Sequence, residues 1–231
     1  MATYSVLLLT APPPTQATEA GGAFVKIDGR EALLRSVELF LNRDNVKQIQ
    51  VCFLNDEMDE AKRKYAPHLG FSGVKMLTGG PRWIDQIAAA AGKIAAECTH
   101  VIIHDAARPA VPYSDIEAVM DAAEKHEAVV LASPSRTALV EVDEGGNALA
   151  IHPAAQFMQL LAPQAYSRKK FEEMAKSKQE LHASQLHVLK GSSLNVRVGG
   201  PGDASLIKAM LSLLPKPKLK GPLNPFEEAQ W

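Results

Sequence analysis

Short apolar, β-branched runs recur along the chain and alternate with stretches whose apolar residues fall three and four apart. These are the periods of buried strands and of amphipathic helices. Residues 5–10 (SVLLLT), 49–54, 74–77, 101–103 and 128–132 are expected as strands. Residues 30–41, with Leu33, Leu34, Val37, Phe40 and Leu41 at helical spacing, are expected as a helix. So are residues 56–65, 84–98 and 113–126, the last with Ser114 as its N-cap. The alternation predicts an α/β fold with a doubly wound, mostly parallel sheet. Beyond residue 132 the rhythm changes. Residues 139–142 and 148–151 flank Asp143-Glu144-Gly145-Gly146-Asn147, a strong hairpin signal. A basic helix over 168–181, a last strand over 193–198 and a last helix over 203–214 complete the pattern.

This reading gives one domain over residues 1–214, with a projecting hairpin arm at about 137–160. Residues 215–231 contain four prolines and no periodicity, and are expected to form a flexible tail. A hydrophobic fraction of 46% with 22% charged residues is ordinary for a globular protein. The net charge of −1 argues against a broad nucleic-acid-binding face. No apolar run approaches a membrane span, and the first residues lack the basic-then-apolar pattern of a signal peptide, so a cytoplasmic protein is expected. Cys52 and Cys98 have neither metal-site nor redox spacing and read as buried hydrophobes.

Candidate chemistry collects where the run 101–103 ends. His104, Asp105 and Arg108 follow it directly, and Pro109 and Pro112 stop the chain from continuing as helix or central strand. The C-terminal edge of an open α/β sheet is where ligands bind, and a carboxylate there can hold Mg²⁺ against a phosphate. The alternative is an Asp–Arg pair that only ties down a turn. The first strand-to-helix loop, residues 11–22 (APPPTQATEAGG), is poorly suited to cradling phosphate. Pro12, Pro13 and Pro14 lack amide donors, and no Lys or Arg precedes Lys26.

Five motifs in register carry a resemblance to a known family. They are HDAARP at 104–109; Gly79-Gly80 with Arg82 and Asp85; the hairpin after Thr137; APQAY at 162–166; and Asn195-Val196-Arg197-Val198 followed by Pro201 and Asp203. In these the chain resembles the 2-C-methyl-D-erythritol 4-phosphate cytidylyltransferases of non-mevalonate isoprenoid biosynthesis. The resemblance implies transfer of CMP from CTP to a polyol phosphate, with Mg²⁺, on a nucleotidyltransferase-type fold. It also implies a homodimer in which the hairpin arm completes the partner's site.

Carried over by motif, Asp105 is the expected metal ligand, and Arg197 stands where the family has a catalytic lysine. Thr137 is the arm threonine that contacts the acceptor phosphate. Gly79, Gly80, Arg82, Asp85 and Arg108 are expected on the nucleotide. Several positions depart from the family pattern. Arg136 replaces an aspartate before Thr137, Ala154 falls on a phosphate-binding arginine, and Gln86 falls on a nucleotide-binding serine. The family arginine after Gly-Gly falls on Trp83 or, with a gap, on Arg82. Gly21-Gly22-Ala23 replaces Pro-Lys-Gln, and an acidic segment is missing around 183–186. Lys26, Arg30, Arg136 and Lys190 are candidate replacement cations, and His152 lies beside the arm positions. Three readings follow: a divergent cytidylyltransferase, a non-catalytic relative that binds or regulates, and a nucleotidyltransferase with a changed acceptor.

Overall fold

The computed structural model describes residues 1–14 and 21–214. Its centre is a seven-stranded sheet. The strands in chain order are β1 (Tyr4–Leu9), β4 (Val46–Leu54), β5 (Lys75–Gly79), β6 (His100–Asp105), β7 (Ala128–Pro134), β10 (Met158–Ser167) and β11 (His187–Lys190). Across the sheet the order is β11-β7-β10-β6-β1-β4-β5. Only β10 runs antiparallel to its neighbours, β6 and β7. Two small ribbons lie outside the sheet. One pairs β2 (Lys26–Ile27) with β3 (Arg30–Glu31); the other, the arm, pairs β8 (Leu139–Val142) with β9 (Ala148–His152).

The apolar runs become central strands because both of their faces are covered. In β1, Val6 and Leu8 enter one core while Leu7 and Leu9 enter the other, as period-two alternation requires. Each fully buried leucine contributes about 2 kcal/mol of transfer free energy. The helices α1 (Ala32–Glu38), α2 (Met58–Phe71), α3 (Trp83–Ala90), α4 (Tyr113–Ala123), α5 (Arg168–Ser177) and α6 (Ala204–Leu213) cover the two faces. In α5 the stripe Phe171, Met174 and Ala175 is buried, and Ser167 caps the start by accepting from the Lys170 amide at 3.3 Å.

Several expectations shift. The helix expected from residue 30 begins at Ala32, because Arg30 pairs with Ile27 around a turn at Asp28 and Gly29, both at positive φ. Helix α2 continues past residue 65 to Phe71, with Pro67 inside it. Helix α3 stops at Ala90 in a 3₁₀ turn, whose Lys93 carbonyl accepts from the side-chain amides of Gln48 and Gln50, each at 2.9 Å. Ser114 is not the N-cap of α4. Pro112 holds that position with no side-chain cap, so Ser114 falls inside the first turn. Helix α5 ends at Ser177, because Lys178 turns left-handed at φ 52°. A 3₁₀ turn over Pro201–Asp203 precedes α6.

Residues 193–198 are not a strand. The last strand is the edge strand β11, paired parallel with β7. The expected tail, 215–231, and residues 15–20 of the first loop lie outside the described residues. No helix among the described residues is long and apolar enough to cross a membrane.

Candidate active site

Strands β1 and β6 run parallel with Leu9 opposite Asp105, which brings Asp105 to the C-terminal edge at the middle of the sheet. The chain then turns sharply. Asp105 Oδ1 accepts from the Ala107 amide at 2.9 Å, and the Arg108 amide donates to the Asp105 carbonyl at 3.0 Å. Two guanidiniums meet on the other carboxylate oxygen. Arg197 Nε donates to Asp105 Oδ2 at 2.9 Å, and Arg108 Nε lies 3.4 Å from the same atom, an ion-pair distance without hydrogen-bond alignment.

Arg108 is held from behind. Its Nη1 donates to the Asn195 carbonyl at 2.8 Å, and Asn195 in turn donates through Nδ2 to the Ala162 carbonyl at 2.5 Å. Burial pulls the Arg108 pKa down and the Asp105 carboxylate opposes it; an arginine remains charged throughout the working range. His104, fully buried, places Nε2 3.1 Å from the Arg108 carbonyl, while its Nδ1 has no partner. Burial pushes its pKa down to about 3, so the ring is neutral. With Nε2–H donating to the carbonyl, His104 braces the turn from inside.

Arg108, Arg197 and Thr137 line one cavity of about 790 Å³, together with Arg136. Thr137 reaches it from the segment between β7 and the arm, where its carbonyl accepts from Ser135 Oγ at 2.9 Å. The other expected nucleotide residues lie elsewhere. Arg82 grips Asp85 through two hydrogen bonds, of 2.8 and 2.7 Å, at the start of α3, and lines a second cavity of about 460 Å³ with Pro12, Pro13 and Pro14. Gly79 and Gly80 have packing reasons of their own. A Cβ on Gly79 would meet Cys52 Sγ at 2.8 Å and Gln86 Cα at 2.9 Å, and one on Gly80 would meet Asp85 Cβ at 2.9 Å.

Gln86 does something its residue type did not suggest. It is buried, and its Oε1 accepts from the amides of Thr10 and Ala11, at 3.1 and 3.2 Å, where the first loop leaves β1. Backbone donors that could face an anion are thereby taken up within the protein. The one sequence signal was an amide side chain beside Ile87 on a helix face that is otherwise apolar. Gly22 is a second missed residue. A Cβ there would lie 1.9 Å from the Val198 carbonyl oxygen, so glycine permits the close approach of the first loop to the segment carrying Arg197.

Of the candidate replacement cations, only Arg136 lines the 790 Å³ cavity. Arg30 pairs with Glu38, Lys26 lines another cavity with Gly199 and Gly200, and Lys190 is exposed on β11. His152 pairs with Glu141 within the arm at 3.1 Å.

Asp105 does not fit the Mg²⁺ expected on it in this arrangement. It is 1% exposed and both of its oxygens are engaged. No cluster of three His, Cys, Asp or Glu that could hold a metal exists among the described residues. Two guanidiniums against the carboxylate also repel a dication, because together they outweigh its single negative charge.

A doubly wound, mostly parallel sheet with charge gathered at its central C-terminal edge defines an open α/β protein of the kind that binds ligands at that edge. The family model for 2-C-methyl-D-erythritol 4-phosphate cytidylyltransferase matches residues 15–212. The chain belongs to that family.

A cytidylyltransferase of this name from Clostridioides difficile is 27% identical over 143 residues, which are 62% of this chain and 60% of the relative. A bifunctional IspD/IspF enzyme of Solidesulfovibrio magneticus is 28% identical over 93% of this chain and 59% of its own length. The chain thus spans about three fifths of these two relatives. The cytidylyltransferase of Rhodopirellula baltica is 24% identical over 84% of this chain and 88% of its own. In fold, the chain is similar to the 4-diphosphocytidyl-2C-methyl-D-erythritol synthase of Anaerococcus prevotii. The TM-score is 0.72 at 16% identity, covering 91% of this chain and 99% of that one.

Proposed function

We propose that this protein transfers CMP from CTP to a polyol phosphate, holding the triphosphate weakly. The observation that carries this reading is the convergence of Arg108 and Arg197 on Asp105, beside a cavity that also takes in Thr137. The reaction joins two anions. An oxygen of the acceptor phosphate bonds to the α-phosphorus of CTP, the bond to the β-phosphate oxygen breaks, and pyrophosphate leaves. Charge spreads over the phosphoryl oxygens as it does so, and fixed cations stabilise it. Arg108 and Arg197 supply that charge, and the Thr137 hydroxyl supplies a donor to the acceptor phosphate. The planar Arg197 fork replaces an ammonium at this position, which changes the geometry of phosphate contact while keeping the charge.

A homodimer formed through the arm belongs to the same proposal. Val140 and Ile151 face each other across the β8–β9 pair and are 53% and 72% exposed, and Val142 and Leu149 are exposed on the same ribbon. Such an apolar ribbon in water supports a protein partner. A cytoplasmic location is supported by two buried, unpaired thiols.

A second reading, a non-catalytic relative that binds ligands without transfer, is favoured by Gln86 consuming the first-loop amides and by Asp105 having no free oxygen. One assay separates the two. Pyrophosphate release is followed with CTP, Mg²⁺ and methylerythritol 4-phosphate, with the Clostridioides relative run in parallel. Release that needs both substrates, slower by about two to three orders of magnitude as expected for lost preorganised charges, supports transfer. No release, together with no thermal shift from any nucleoside triphosphate, overturns it and leaves the second reading.

A further inference from the structure

Residues 192–198, which carry Arg197 to the cavity, form no strand, so no ladder of hydrogen bonds fixes them. Discrete contacts do so instead. At the far end Arg197 meets Asp105 at 2.9 Å, and the Val198 amide donates to the Ala107 carbonyl at 2.8 Å. In the middle Arg136 Nη2 donates to Ser193 Oγ at 2.8 Å, and Asn195 engages Arg108 and the Ala162 carbonyl. The near end is a compact turn built on Ser192, whose Oγ accepts from the Leu194 amide at 3.1 Å and whose carbonyl accepts from the Asn195 amide at 3.2 Å.

The group that holds this turn lies outside the cavity. Asp115, in the first turn of α4, accepts from the Ser192 amide through Oδ2 at 2.8 Å. It is 8% exposed and is not among the residues lining the 790 Å³ cavity. Burial raises its pKa and the Ser192 amide opposes that rise, with no contribution from a cation among the described residues. A buried carboxylate is costly unless it is hydrogen-bonded, and here the donor is a backbone amide five positions before Arg197. Without that contact the turn is free to shift, and Arg197 shifts with it. A displacement of about 1 Å in a group that acts on the reacting atoms costs about a hundredfold in rate.

We propose that Asp115 sets the position of Arg197. By holding the Ser192 amide it fixes the turn from which Arg197 is presented, and so acts as a positioning residue that touches neither substrate. The functional part of this inference rests on the reading of Arg197 as a cation for the transferring phosphoryl group.

The test compares the full chain with Asp115→Ala and Asp115→Asn, each checked first for its thermal midpoint; Asp115→Ser stands in should Asp115→Ala not fold. Hydrogen exchange at the Val198 amide, set against the amides of β1, reads the segment directly and needs no activity. Asp115→Ala is expected to speed exchange at Val198 about tenfold while β1 changes less than about twofold. Asp115→Asn keeps an acceptor oxygen at the same reach and is expected to restore protection. Pyrophosphate release with CTP, Mg²⁺ and methylerythritol 4-phosphate reads the consequence. Asp115→Ala is expected to lower kcat about tenfold or more with both KM values within about twofold, and Asp115→Asn to return kcat to within about threefold of wild type. Unchanged exchange at Val198 overturns the proposal, as does equal acceleration at Val198 and in β1, the mark of a role confined to stability. An unchanged kcat in a chain that transfers CMP overturns it too. Exchange that shifts as expected in a chain whose wild type releases no pyrophosphate keeps the positioning of Arg197 and removes only the transfer reading.

Discussion

Arg197 Nε donates to Asp105 Oδ2 across 2.9 Å, tying the irregular segment before α6 to the end of β6, 92 positions earlier in the chain. Arg108 leans on the same oxygen at 3.4 Å, so one carboxylate balances two guanidiniums in a nearly dry corner. Such a corner is structural and chemical at once. It fixes two cations beside the cavity, and it depends on a single negative charge to do so.

Neutralising that charge is expected to cost more than removing either cation. Asp105→Asn leaves two buried guanidiniums facing each other and should lower stability by about 3–5 kcal/mol, the cost of breaking a buried ion pair from one side. Arg197→Met leaves Arg108 to pair with Asp105, and a smaller loss is expected. Urea unfolding of both variants and of the double variant gives the coupling directly. If the two single losses simply add, the carboxylate does not bind Arg197 as the geometry indicates.

Gln86 is expected to trade stability against loop availability. Thr10 N–H keeps a second acceptor, the Cys52 carbonyl at 3.2 Å, whereas Ala11 N–H has only Gln86 among its described hydrogen bonds. Gln86→Ser should therefore cost about 1–3 kcal/mol, the penalty for a buried donor left unpaired. It should also tighten CTP binding, because a freed amide at the strand edge can face an anion. Denaturant midpoints and calorimetry with CTP measure both effects, and unchanged stability would show that Gln86 does not hold the loop.

Much of this architecture is legible in the residues, and the exceptions share a cause. β1, β6 and β7 are short apolar runs buried on both faces, so pattern alone locates them. The arm is equally plain, because Asp143 to Asn147 form the turn that their types predict, with Asp143 Oδ1 accepting from the amides of Gly145 and Asn147. Residues 195–198 misled, since N-V-R-V alternates like a strand. There the polar side chains answer to tertiary partners: the Asn195 amide accepts from Arg108 and donates to the Ala162 carbonyl, and Arg197 donates to Asp105. The family motifs likewise named Asp105, Arg108, Arg197 and Thr137, which the fold brings to one corner and the cavity beside it. They could not show that the carboxylate is already neutralised or that Gln86 occupies the loop amides, because both facts are contacts between segments distant in sequence.

His104 predicts how stability depends on pH. Its pKa in the folded protein, pushed down to about 3 by burial, lies below the ordinary value of 6.5. Between those values the unfolded chain takes up a proton that the folded one refuses, so stability is fully present above pH 6.5 and is lost as pH falls towards about 3. The slope from this one group approaches about 1.4 kcal/mol per pH unit within the window. His104→Gln can still donate to the Arg108 carbonyl but does not titrate. Denaturant unfolding at several pH values should show wild type and variant converging as pH falls. A constant difference between them would mean that His104 does not carry the dependence.

The arm predicts an assembly that can be broken without unfolding the chain. Val140 and Ile151 are cross-strand partners that stay 53% and 72% exposed, so nothing among the described residues covers them. Replacing Val140 with Glu and Ile151 with Lys keeps a favourable cross-strand pair and so preserves the hairpin. It removes the apolar face that a second copy would bury. Sedimentation should show wild type as a dimer and the double variant as a monomer with an unchanged thermal midpoint at matched dilution. The monomer should also lose affinity for acceptor probes if the arm completes its partner's site. A wild type that stays monomeric at high concentration rejects the arm as a dimer contact; a double variant that stays dimeric places the interface elsewhere.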